Sequence, residues 1–444
     1  MISTDKDTLT SAFIFGVALT FNLDQVNRYV QEGIGANSAA PFNHFSHART
    51  LAGPADTFVS INNDTVYSMA QIDLSAGPVL LETPDTDGRY YVLQFVDAWT
   101  NNFAYVGHRA TGTAPQKYLL VPLGWDGDPP VDTRVIHAPT MVFSIVGRWA
   151  CRGDWDLPAI HELQDATRLS QIDPEAVPTG IPHVGVDVPP ALHFLEKLRL
   201  WSQVYPPAAS DRETLAALSA LGVTKTGDSP YIGLAEAQVG SAGATLKAAL
   251  DNLIEYLRQG GVPIVNGWQL PYHVFDYNSD FFEIGTVDSK LYNSVKHKDK
   301  YLLRAGAALG GLWGNHAYEA AYAIVYVDDA GEQLSGEHTY TLTLNPTPPV
   351  SAFWSLTMYS IPDFYLVENS IDRYSLGSNT EGLQYEEDGS LVIVLSRDEP
   401  SDPRDRANWL PAPEGAFRPI IRMYEPDASI VDGGYAIPAI ERRT

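Results

Sequence analysis

The sequence predicts an α+β fold that is mainly antiparallel β-structure. Short segments rich in β-branched and aromatic residues recur in two parts of the chain, about 61–150 and 319–444. Apolar residues at the spacing typical of helices occupy the N-terminus and the middle. Because turn signals separate the short strands so closely, antiparallel sandwiches or barrels are favoured over alternating strands and helices.

The N-terminal region, 1–60, begins with a predicted helix. Leu9, Phe13 and Val17 recur at steps of four, so they share one helix face. Residues 35–60 contain many Gly, Pro, Asn and Ser residues, and we expect a loop there.

The first β-rich domain is predicted to span residues 61–150. Asp87-Gly88 and Asp126-Gly127 are typical turn dipeptides and punctuate it. The clearest predicted strands of this domain are 79–82, 90–96, 117–121 and 141–146.

The middle region, 151–318, is predicted to be mostly helical. Its clearest helix is 244–259, where leucines form one stripe and two glycines follow as a stop signal. The C-terminal region, 319–444, returns to strand patterns, and no internal repeat at a fixed period is visible. Its clearest predicted strands are 324–327, 338–344, 353–359, 391–395 and 417–424.

Length and charge limit the classes of function. A chain of 444 residues exceeds what one hydrophobic core usually supports, so at least two domains are expected. The net charge is −25, with 29 basic and 54 acidic residues, which disfavours nucleic acids and anionic membranes as partners. The one dense basic stretch, 296–300, is interpreted as a solvated loop or helix start.

The single cysteine, Cys151, excludes an intrachain disulfide and a cysteine-based zinc site. It follows an apolar run, so we expect a small buried residue rather than a nucleophile. The first residues do not form a positively charged signal region, and the apolar segment 12–19 is shorter than the about 20 residues of a membrane span. A cytoplasmic protein is expected, unless a signal was removed, and homo-oligomer formation is left open.

Standard catalytic motifs are incomplete in this sequence. His161-Glu162 lacks the second histidine of a metalloprotease helix, and no dinucleotide or phosphate-loop fingerprint is present. His44 and His47 would share one face of a helix, which suits a metal, a packing pair, or a general base at one of them. We favour the last two and predict no metal and no cofactor.

A first candidate site follows the predicted strand 90–96. Asp97 and Asn101 lie at the strand end, where a carboxylate can remove a proton and an amide can hold an oxyanion. Arg109 could bind a substrate carboxylate in bidentate fashion. The alternative is a buried ion pair between Asp97 and Arg109 that fixes two loops.

A second polar cluster precedes the same domain. Asn63, Asp64 and Tyr67 either build a turn before a strand or line the site. We assign Tyr67 and His47 to the candidate catalytic residues beside Asp97 and Asn101.

The C-terminal half supplies further candidates for substrate binding. Tyr359, Asn369 and Arg373 are its polar candidates, and Arg422 is expected to pair with a carboxylate across the sheets. Two tryptophans could stack on sugar or aromatic faces, although core positions are the commoner role: Trp354 and Trp409.

Two strings of residues resemble a known bacterial family. One is Asn62-Asn63-Asp64-Thr65-Val66-Tyr67-Ser68, and the other is Asn408-Trp409-Leu410-Pro411-Ala412-Pro413. Together with segments such as 353–359 they resemble the paired domains of unknown function numbered 1254 (N-terminal) and 1214 (C-terminal). The family usually has Asn where this chain has Asp372. The resemblance implies two jelly-roll-like β-sandwich domains and implies no reaction.

The first functional hypothesis is an enzyme that acts on a small organic molecule, such as a carbohydrate derivative. The expected chemistry is metal-independent acid/base hydrolysis or elimination, at a site that the two signature halves share in a cleft. The alternatives are a non-catalytic sugar- or ligand-binding module and a structural or assembly protein. The expected partner is a small-molecule ligand.

Overall fold

A computed structural model describes residues 3–56, 60–258, 260–287 and 300–443 of the chain. The fold is α+β with mainly antiparallel sheets, and helices occupy the N-terminus and the middle as predicted. The basic stretch lies outside the described residues except for Lys300, which begins a helix. The α-helices are α1 (Lys6–Glu32), α2 (His108–Thr111), α3 (Leu157–Ala166), α4 (His193–Val204), α5 (Arg212–Ala217), α6 (Glu236–Arg258), α7 (Lys300–Gly311), α8 (Pro403–Ala407) and α9 (Ala428–Val431).

The N-terminal half forms a two-layer β-sandwich. One sheet has the strand order β3-β4-β10-β6-β7, the other has the order β11-β5-β8-β9, and residues such as Ile72 and Leu81 fill the core between them. β8 and β9 are parallel, whereas the other strand pairs of this sheet are antiparallel. The strands are β1 (Gly33–Ile34), β2 (Asn37–Ser38), β3 (Phe45–His47), β4 (Thr65–Asp73), β5 (Val79–Thr83), β6 (Tyr91–Asp97), β7 (Asn102–Gly107), β8 (Gln116–Pro122), β9 (Arg134–Ala138), β10 (Val142–Ala150) and β11 (Arg168–Gln171).

The C-terminal half forms a second two-layer sandwich. Its sheets have the orders β12-β13-β14-β20-β16-β17 and β19-β18-β15-β21, with residues such as Leu356 and Leu342 between them. β18 and β19 are parallel. The strands are β12 (Ile264–Val265), β13 (Trp268–Gln269), β14 (Ala320–Val325), β15 (Tyr340–Leu344), β16 (Val350–Ser360), β17 (Ser375–Gly377), β18 (Leu391–Ser396), β19 (Trp409–Pro411), β20 (Phe417–Pro426) and β21 (Glu441–Arg442).

The sheets extend beyond the predicted limits of the two β-regions. β3 lies within the predicted N-terminal loop, and β11 follows residue 150. β12 and β13 belong to the predicted helical middle but join the C-terminal sheet. These strands have two to four residues, which is too short for an alternating pattern to be visible in the sequence.

The two halves repeat one topology. Strands β4 to β11 and β14 to β21 correspond one to one in chain order. In each half the first, seventh, third and fourth strands form one sheet, and the eighth, second, fifth and sixth form the other. The fifth and sixth strands are the parallel pair in both halves. The chain therefore contains a structural repeat that no fixed sequence period reveals.

The strand register fixes which residues correspond. On β10, Arg148 pairs with Tyr67 of β4, and on β20, Arg422 pairs with Tyr322 of β14. The same arginine–tyrosine pair therefore occurs in both halves.

Glycines mark another corresponding position, at the end of the fourth strand. A Cβ atom on Gly107 would lie 2.2 Å from the carbonyl oxygen of Tyr91, and one on Gly377 would lie 2.0 Å from that of Trp354. No side chain fits at such distances, so the close approach of the third and fourth strands requires glycine in both halves.

Helices α1, α4, α6 and α7 form a layer beside the N-terminal sandwich. By length and composition alone, α1 is apolar enough to cross a membrane. In this structure its apolar residues, among them Leu19 and Leu23, are buried against the other three helices. Asn22 on the same helix donates hydrogen bonds to the carbonyls of Asp97 and Ala98, which joins the layer to the sandwich.

Candidate functional site

The first sheets of the two halves pack face to face across a buried layer. An aromatic contact closes one part of it: the Phe353 and Tyr424 rings stack with centres 4.2 Å apart, and Tyr90 meets both edge-on. Polar side chains occupy the rest. We call this set the interdomain layer, and its members are Asp64, Tyr67, Gln94, Arg148, Tyr322, Thr357, Tyr359 and Arg422.

Two buried arginines occupy corresponding positions in the interdomain layer. The guanidinium of Arg148 lies 5.4 Å from the centre of the Tyr67 ring, and that of Arg422 lies 6.0 Å from the centre of the Tyr322 ring. The faces of the rings are electron-rich, so each tyrosine stabilises the charge of its arginine.

The contacts of Arg148 are all with uncharged groups. Its Nη1 donates to Gln94 Oε1 at 2.9 Å and more weakly to Asn315 Oδ1 at 3.4 Å. Its Nη2 donates to the carbonyl oxygen of Trp313 at 2.9 Å. Burial opposes the charged form, but neighbouring tyrosines outweigh it, so the pKa of Arg148 is raised. Arg148 therefore stays charged inside the protein.

Arg422 makes the corresponding contacts in the other half. It donates to Thr357 Oγ1 at 3.1 Å, to the Tyr359 hydroxyl at 2.9 Å and to the carbonyl of Ser60 at 2.8 Å. The expected ion pair across the sheets is wrong, because the described residues place no carboxylate in contact with this guanidinium. Burial lowers its pKa, but Tyr359 and the charge of Asp64 outweigh burial and raise it.

Two buried carboxylates cross from one half to the other. Asp64, from the N-terminal half, accepts hydrogen bonds from Ser355 and from Tyr424 (2.7 Å) of the C-terminal half. Glu319 occupies the corresponding position, three residues before the paired tyrosine, and accepts from Tyr90 at 3.0 Å. Each half is therefore tied to the other by a carboxylate.

The tyrosine pair retains accessible surface inside the layer. Tyr67 and Tyr322 are only half-buried, yet burial raises the pKa of the Tyr322 hydroxyl. Both side chains therefore keep some accessible surface although the layer around them is buried. The described residues offer no hydrogen-bond partner to the Tyr322 hydroxyl, whereas the Tyr67 hydroxyl accepts from Asn62 at 2.9 Å.

The structure brings together several residues that the sequence singled out. Asp64 and Tyr67 belong to the interdomain layer, and the Tyr359 hydroxyl donates to the carbonyl of Ile61 at 2.6 Å. Asn63 lies at the border, where its amide donates to Ala52. The two signature halves thus meet, as the sequence predicted.

Turn chemistry and site lining are both present in the Asn-Asp-Thr string. The Asn62 side-chain oxygen accepts from the backbone N–H of Thr65 at 3.2 Å, which is an Asx turn before β4. Asp64, within the turn, faces the layer. Within this segment Asn62 therefore builds the turn, and Asp64 contributes its side chain to the interdomain layer.

Asp97 lies away from the interdomain layer. Its carboxylate accepts from the backbone N–H groups of Trp99 (2.9 Å) and Asn101 (2.8 Å) and from the Asn101 amide (2.9 Å). Burial raises its pKa to about 6, although these hydrogen bonds act in the opposite direction. A crevice bounded by Thr100 and Trp313 runs beside this turn, but it is too narrow to admit a water molecule.

The structure does not bring Asp97 and Arg109 together. Arg109, on α2, donates from Nε to Glu319 at 2.6 Å and from Nη2 to the carbonyl of Gly285 at 2.6 Å. Its guanidinium also lies 4.6 Å from the centre of the Tyr318 ring. The carboxylate that Arg109 contacts is Glu319. Asp97 and Arg109 therefore neither line one cleft nor form an ion pair, and both expectations for them are wrong.

His47 lies on the opposite face of the N-terminal sheet. It pairs with Ser68 in the register of β3 and β4, and its Nδ1 lies 2.7 Å from the Ser68 hydroxyl. Neighbouring residues of a strand point to opposite faces, so the Tyr67 side chain is on the other side. Burial lowers the pKa of His47 to about 4, so the ring is neutral at neutral pH.

The histidine pair does not lie on a helix, the condition under which the two rings would share a face. His44 precedes β3, and a spacing of three places it and His47 on opposite faces of an extended chain. The described residues contain no group of three or more His, Cys, Asp or Glu side chains that could hold a metal.

The remaining C-terminal candidates stabilise their own domain. Trp354 and Trp409 are each 2% exposed, so neither ring offers a face to a sugar. Asn369 donates to the carbonyl of Arg373 at 3.0 Å, and Arg373 donates to that of Trp409 at 2.8 Å. Cys151 is buried, as predicted, and burial raises its pKa to about 11.

Sequence reasoning missed the centre of the layer. Arg148, Gln94, Tyr322 and Thr357 were not identified as site residues. Arg148, which follows Gly147, and Arg422, two residues before Tyr424, are charged residues inside otherwise apolar strands. A buried charge is rare unless it is functional or paired, and that signal was available.

Comparison with protein families identifies the chain. A model described as "Protein of unknown function (DUF1254)" matches residues 42–171, and one described as "Protein of unknown function (DUF1214)" matches residues 319–428. Together the two matches span more than half of the sequence. The chain belongs to this paired DUF1254–DUF1214 family. The two matched segments fall on the two copies of the structural repeat.

Solved structures extend the comparison over the whole chain. The crystal structure of the VPA0106 protein from Vibrio parahaemolyticus matches with a TM-score of 0.74 and 23% identity, covering 99% of this chain and 100% of that one. A putative uncharacterized protein from Burkholderia cenocepacia matches with a TM-score of 0.45 and 10% identity, covering 98% and 94%. The first shows a shared fold. No curated protein matches this sequence.

Proposed function

We propose that this protein is an enzyme that performs acid/base chemistry on a small organic anion bound in the interdomain layer. The observation that carries the proposal is the pair of buried arginines, Arg148 and Arg422, neither of which contacts a carboxylate. Taking a charge out of water is costly unless an opposite charge compensates it. A ligand that carries negative charge would supply that compensation.

The layer also contains groups suited to proton transfer. Burial keeps the Tyr322 hydroxyl protonated, so it can donate a proton to a leaving group or an enolate. Asp64 is hydrogen-bonded to the Tyr424 hydroxyl and is the carboxylate of the layer. The arginines would stabilise negative charge that develops during elimination or hydrolysis. In this proposal each of these roles is taken by a side chain of the layer.

A non-catalytic receptor for organic anions is the second candidate. Both oxygens of Asp64 already accept hydrogen bonds, one from Ser355 and one from Tyr424. A carboxylate held in this way is less available as a base. Binding of sugars through aromatic faces has less support, because Trp354 and Trp409 are in the core.

The two candidates differ in turnover. Purified protein would be incubated with a panel of aliphatic, hydroxylated and sugar carboxylic acids, with binding followed by calorimetry and conversion by proton NMR. We expect at least one acid to bind and to be converted, and Tyr322→Phe to lower kcat by about 10²–10⁴-fold while binding persists. Binding without conversion would support the receptor, and no binding by any member would contradict both.

A further inference from the structure

Arg148 and Arg422 correspond in the fold but differ in their charge environment. The negative charge of Asp64, which belongs to the same layer, stabilises the charged form of Arg422. Around Arg148 the contributing groups are tyrosines, and its hydrogen-bond partners are an amide side chain and a backbone carbonyl. Glu319, at the position that corresponds to Asp64, is neutralised by Arg109 instead. Arg148 is therefore the arginine of the layer without a compensating charge.

Two further donors beside Arg148 lack an acceptor. Asn315 is 1% exposed, and its Nδ2 has no hydrogen-bond partner although its Oδ1 lies 3.4 Å from Arg148 Nη1. The Tyr322 hydroxyl also lacks a partner among the described residues and keeps accessible surface. Both Arg148 and Arg422 act electrostatically on that hydroxyl, and the Arg422 guanidinium lies 6.0 Å from the centre of the ring. Buried donors are normally satisfied, so this end of the layer lacks an acceptor group.

From these three donors we infer that the ligand is a monocarboxylate whose carboxylate binds between Arg148, Asn315 and Tyr322. This inference rests on the proposed function, since it names the substrate class of the same site. A carboxylate has two oxygens and about four acceptor positions, which matches a guanidinium, an amide N–H and a hydroxyl. The uncharged part of the ligand would then extend toward Arg422, Thr357 and Tyr359.

Charge balance among the residues of the interdomain layer favours a single anionic group. The layer contains two positive arginines and one negative Asp64, so one carboxylate makes it neutral. A dicarboxylate would leave an excess negative charge inside the protein, which is unfavourable in a medium of low dielectric constant. Of the groups that border the layer, Glu319 pairs with Arg109, and Glu425 accepts a hydrogen bond from His108. Arg418, on the same strand as Arg422, is hydrogen-bonded to the uncharged hydroxyls of Tyr326 and Ser60 and lies outside this balance.

Calorimetry with defined carboxylates tests the inference. The probes are propionate, butyrate and 3-hydroxybutyrate, with succinate as the dicarboxylate and butyramide as the neutral analogue. The proteins are the wild type, Arg148→Met, Tyr322→Phe and Arg422→Met, with Arg134→Met as a control, because Arg134 is an exposed residue of β9. Tyr322→Phe removes one unpartnered atom, so this variant is expected to fold even if an arginine variant does not.

We expect a monocarboxylate to bind at least ten-fold more tightly than succinate and butyramide. Arg148→Met should weaken that binding about ten-fold to a hundred-fold, the loss typical of a hydrogen bond to a charged group. Tyr322→Phe should weaken it less, and Arg134→Met should not change it.

Other outcomes separate this inference from the proposed function. If succinate binds more tightly, or if Arg422→Met abolishes binding while Arg148→Met retains it, the inference is wrong and the interdomain layer remains an anion site. If a monocarboxylate binds through Arg148 and no acid is ever converted, the inference stands and the enzyme proposal is wrong. If none of the probes binds at millimolar concentration, both are wrong.

Discussion

The partners of individual buried charged residues distinguish structural residues from candidate site residues. Arg109, Arg148 and Asp97 have similar settings in the sequence, a charged residue at or near the end of an apolar strand. In the structure Arg109 pairs with Glu319, Asp97 accepts hydrogen bonds from the N–H groups of its own turn, and Arg148 has no charged partner within the described parts of the chain. The sequence identified residue types but not partners, because the partner of Arg109 lies 210 positions further along the chain.

The contrast between Arg109 and Arg148 gives a stability prediction. Arg109→Met leaves the buried Glu319 without its counter-charge, which typically costs about 3–5 kcal/mol. Arg148→Met leaves no buried charge behind, so its cost should be smaller, below about 2 kcal/mol. Urea unfolding of both variants measures the difference. Equal losses would show that Arg148 has a structural partner.

Asp97 should make stability depend on pH. Burial raises its pKa to about 6 in the folded protein, above its ordinary value near 3.8. Asp97 in the folded state therefore keeps its proton to higher pH than in the unfolded state, so its contribution to stability is greatest below about pH 4 and is lost as pH rises through 6. In Asp97→Asn this contribution disappears.

The measurement is the free energy of unfolding of Asp97→Asn relative to wild type. From pH 4 to pH 6 the variant should gain stability relative to wild type, by on the order of 2–3 kcal/mol. Asp128→Asn, at an exposed position, is the control and should show no such trend. A constant difference across this range would mean that Asp97 is not desolvated as the structure indicates.

At the scale of elements, strand patterns predicted most of the fold and failed at specific places. Enrichment in β-branched and aromatic residues, together with turn dipeptides, located β5, β6, β8 and β10, and this signal does not depend on alternation because β6 and β10 are buried on both faces. The edge strand β3 was missed because 35–60 was predicted to be a loop, so the sequence did not indicate which face of the sheet His47 occupies. The pairing of β3 with β4 places His47 on the face of the sheet opposite the interdomain layer. Which face a residue occupies depends on register, and register is set by partners distant in sequence.

The paired glycines test whether the two halves are equivalent at this scale. Gly107→Ala and Gly377→Ala should each destabilise the protein by more than about 2 kcal/mol, because the new methyl group would collide with a carbonyl oxygen. Gly240→Ala, on an exposed position of α6 with open space around it, should stabilise it by up to about 1 kcal/mol. Urea unfolding measures all three. A marked difference between the first two would show that the halves have diverged at this contact.

At the scale of the whole molecule, the interdomain layer depends on the repeat. The two signature strings lie in different copies, and the packing of their first sheets brings corresponding arginines and tyrosines together. The sequence predicted a shared site but not its symmetry. The two copies have loops of different length, so no fixed period relates them, and only strand order shows the relationship.

The crossing carboxylates should make the two halves unfold as one unit. Asp64 accepts a hydrogen bond from Tyr424, and Glu319 accepts one from Tyr90. Each half therefore carries a buried carboxylate whose hydrogen-bond donor belongs to the other half. Separating the halves would leave these groups without partners, which costs more than local opening. Tyr424→Phe removes one such bond and should lower global stability by about 1–3 kcal/mol. Hydrogen exchange in that variant should increase in β10 as well as in β20, although only β20 carries the substitution. An increase confined to the C-terminal strands would mean that the halves unfold independently and that the layer between them is a contact rather than a common core.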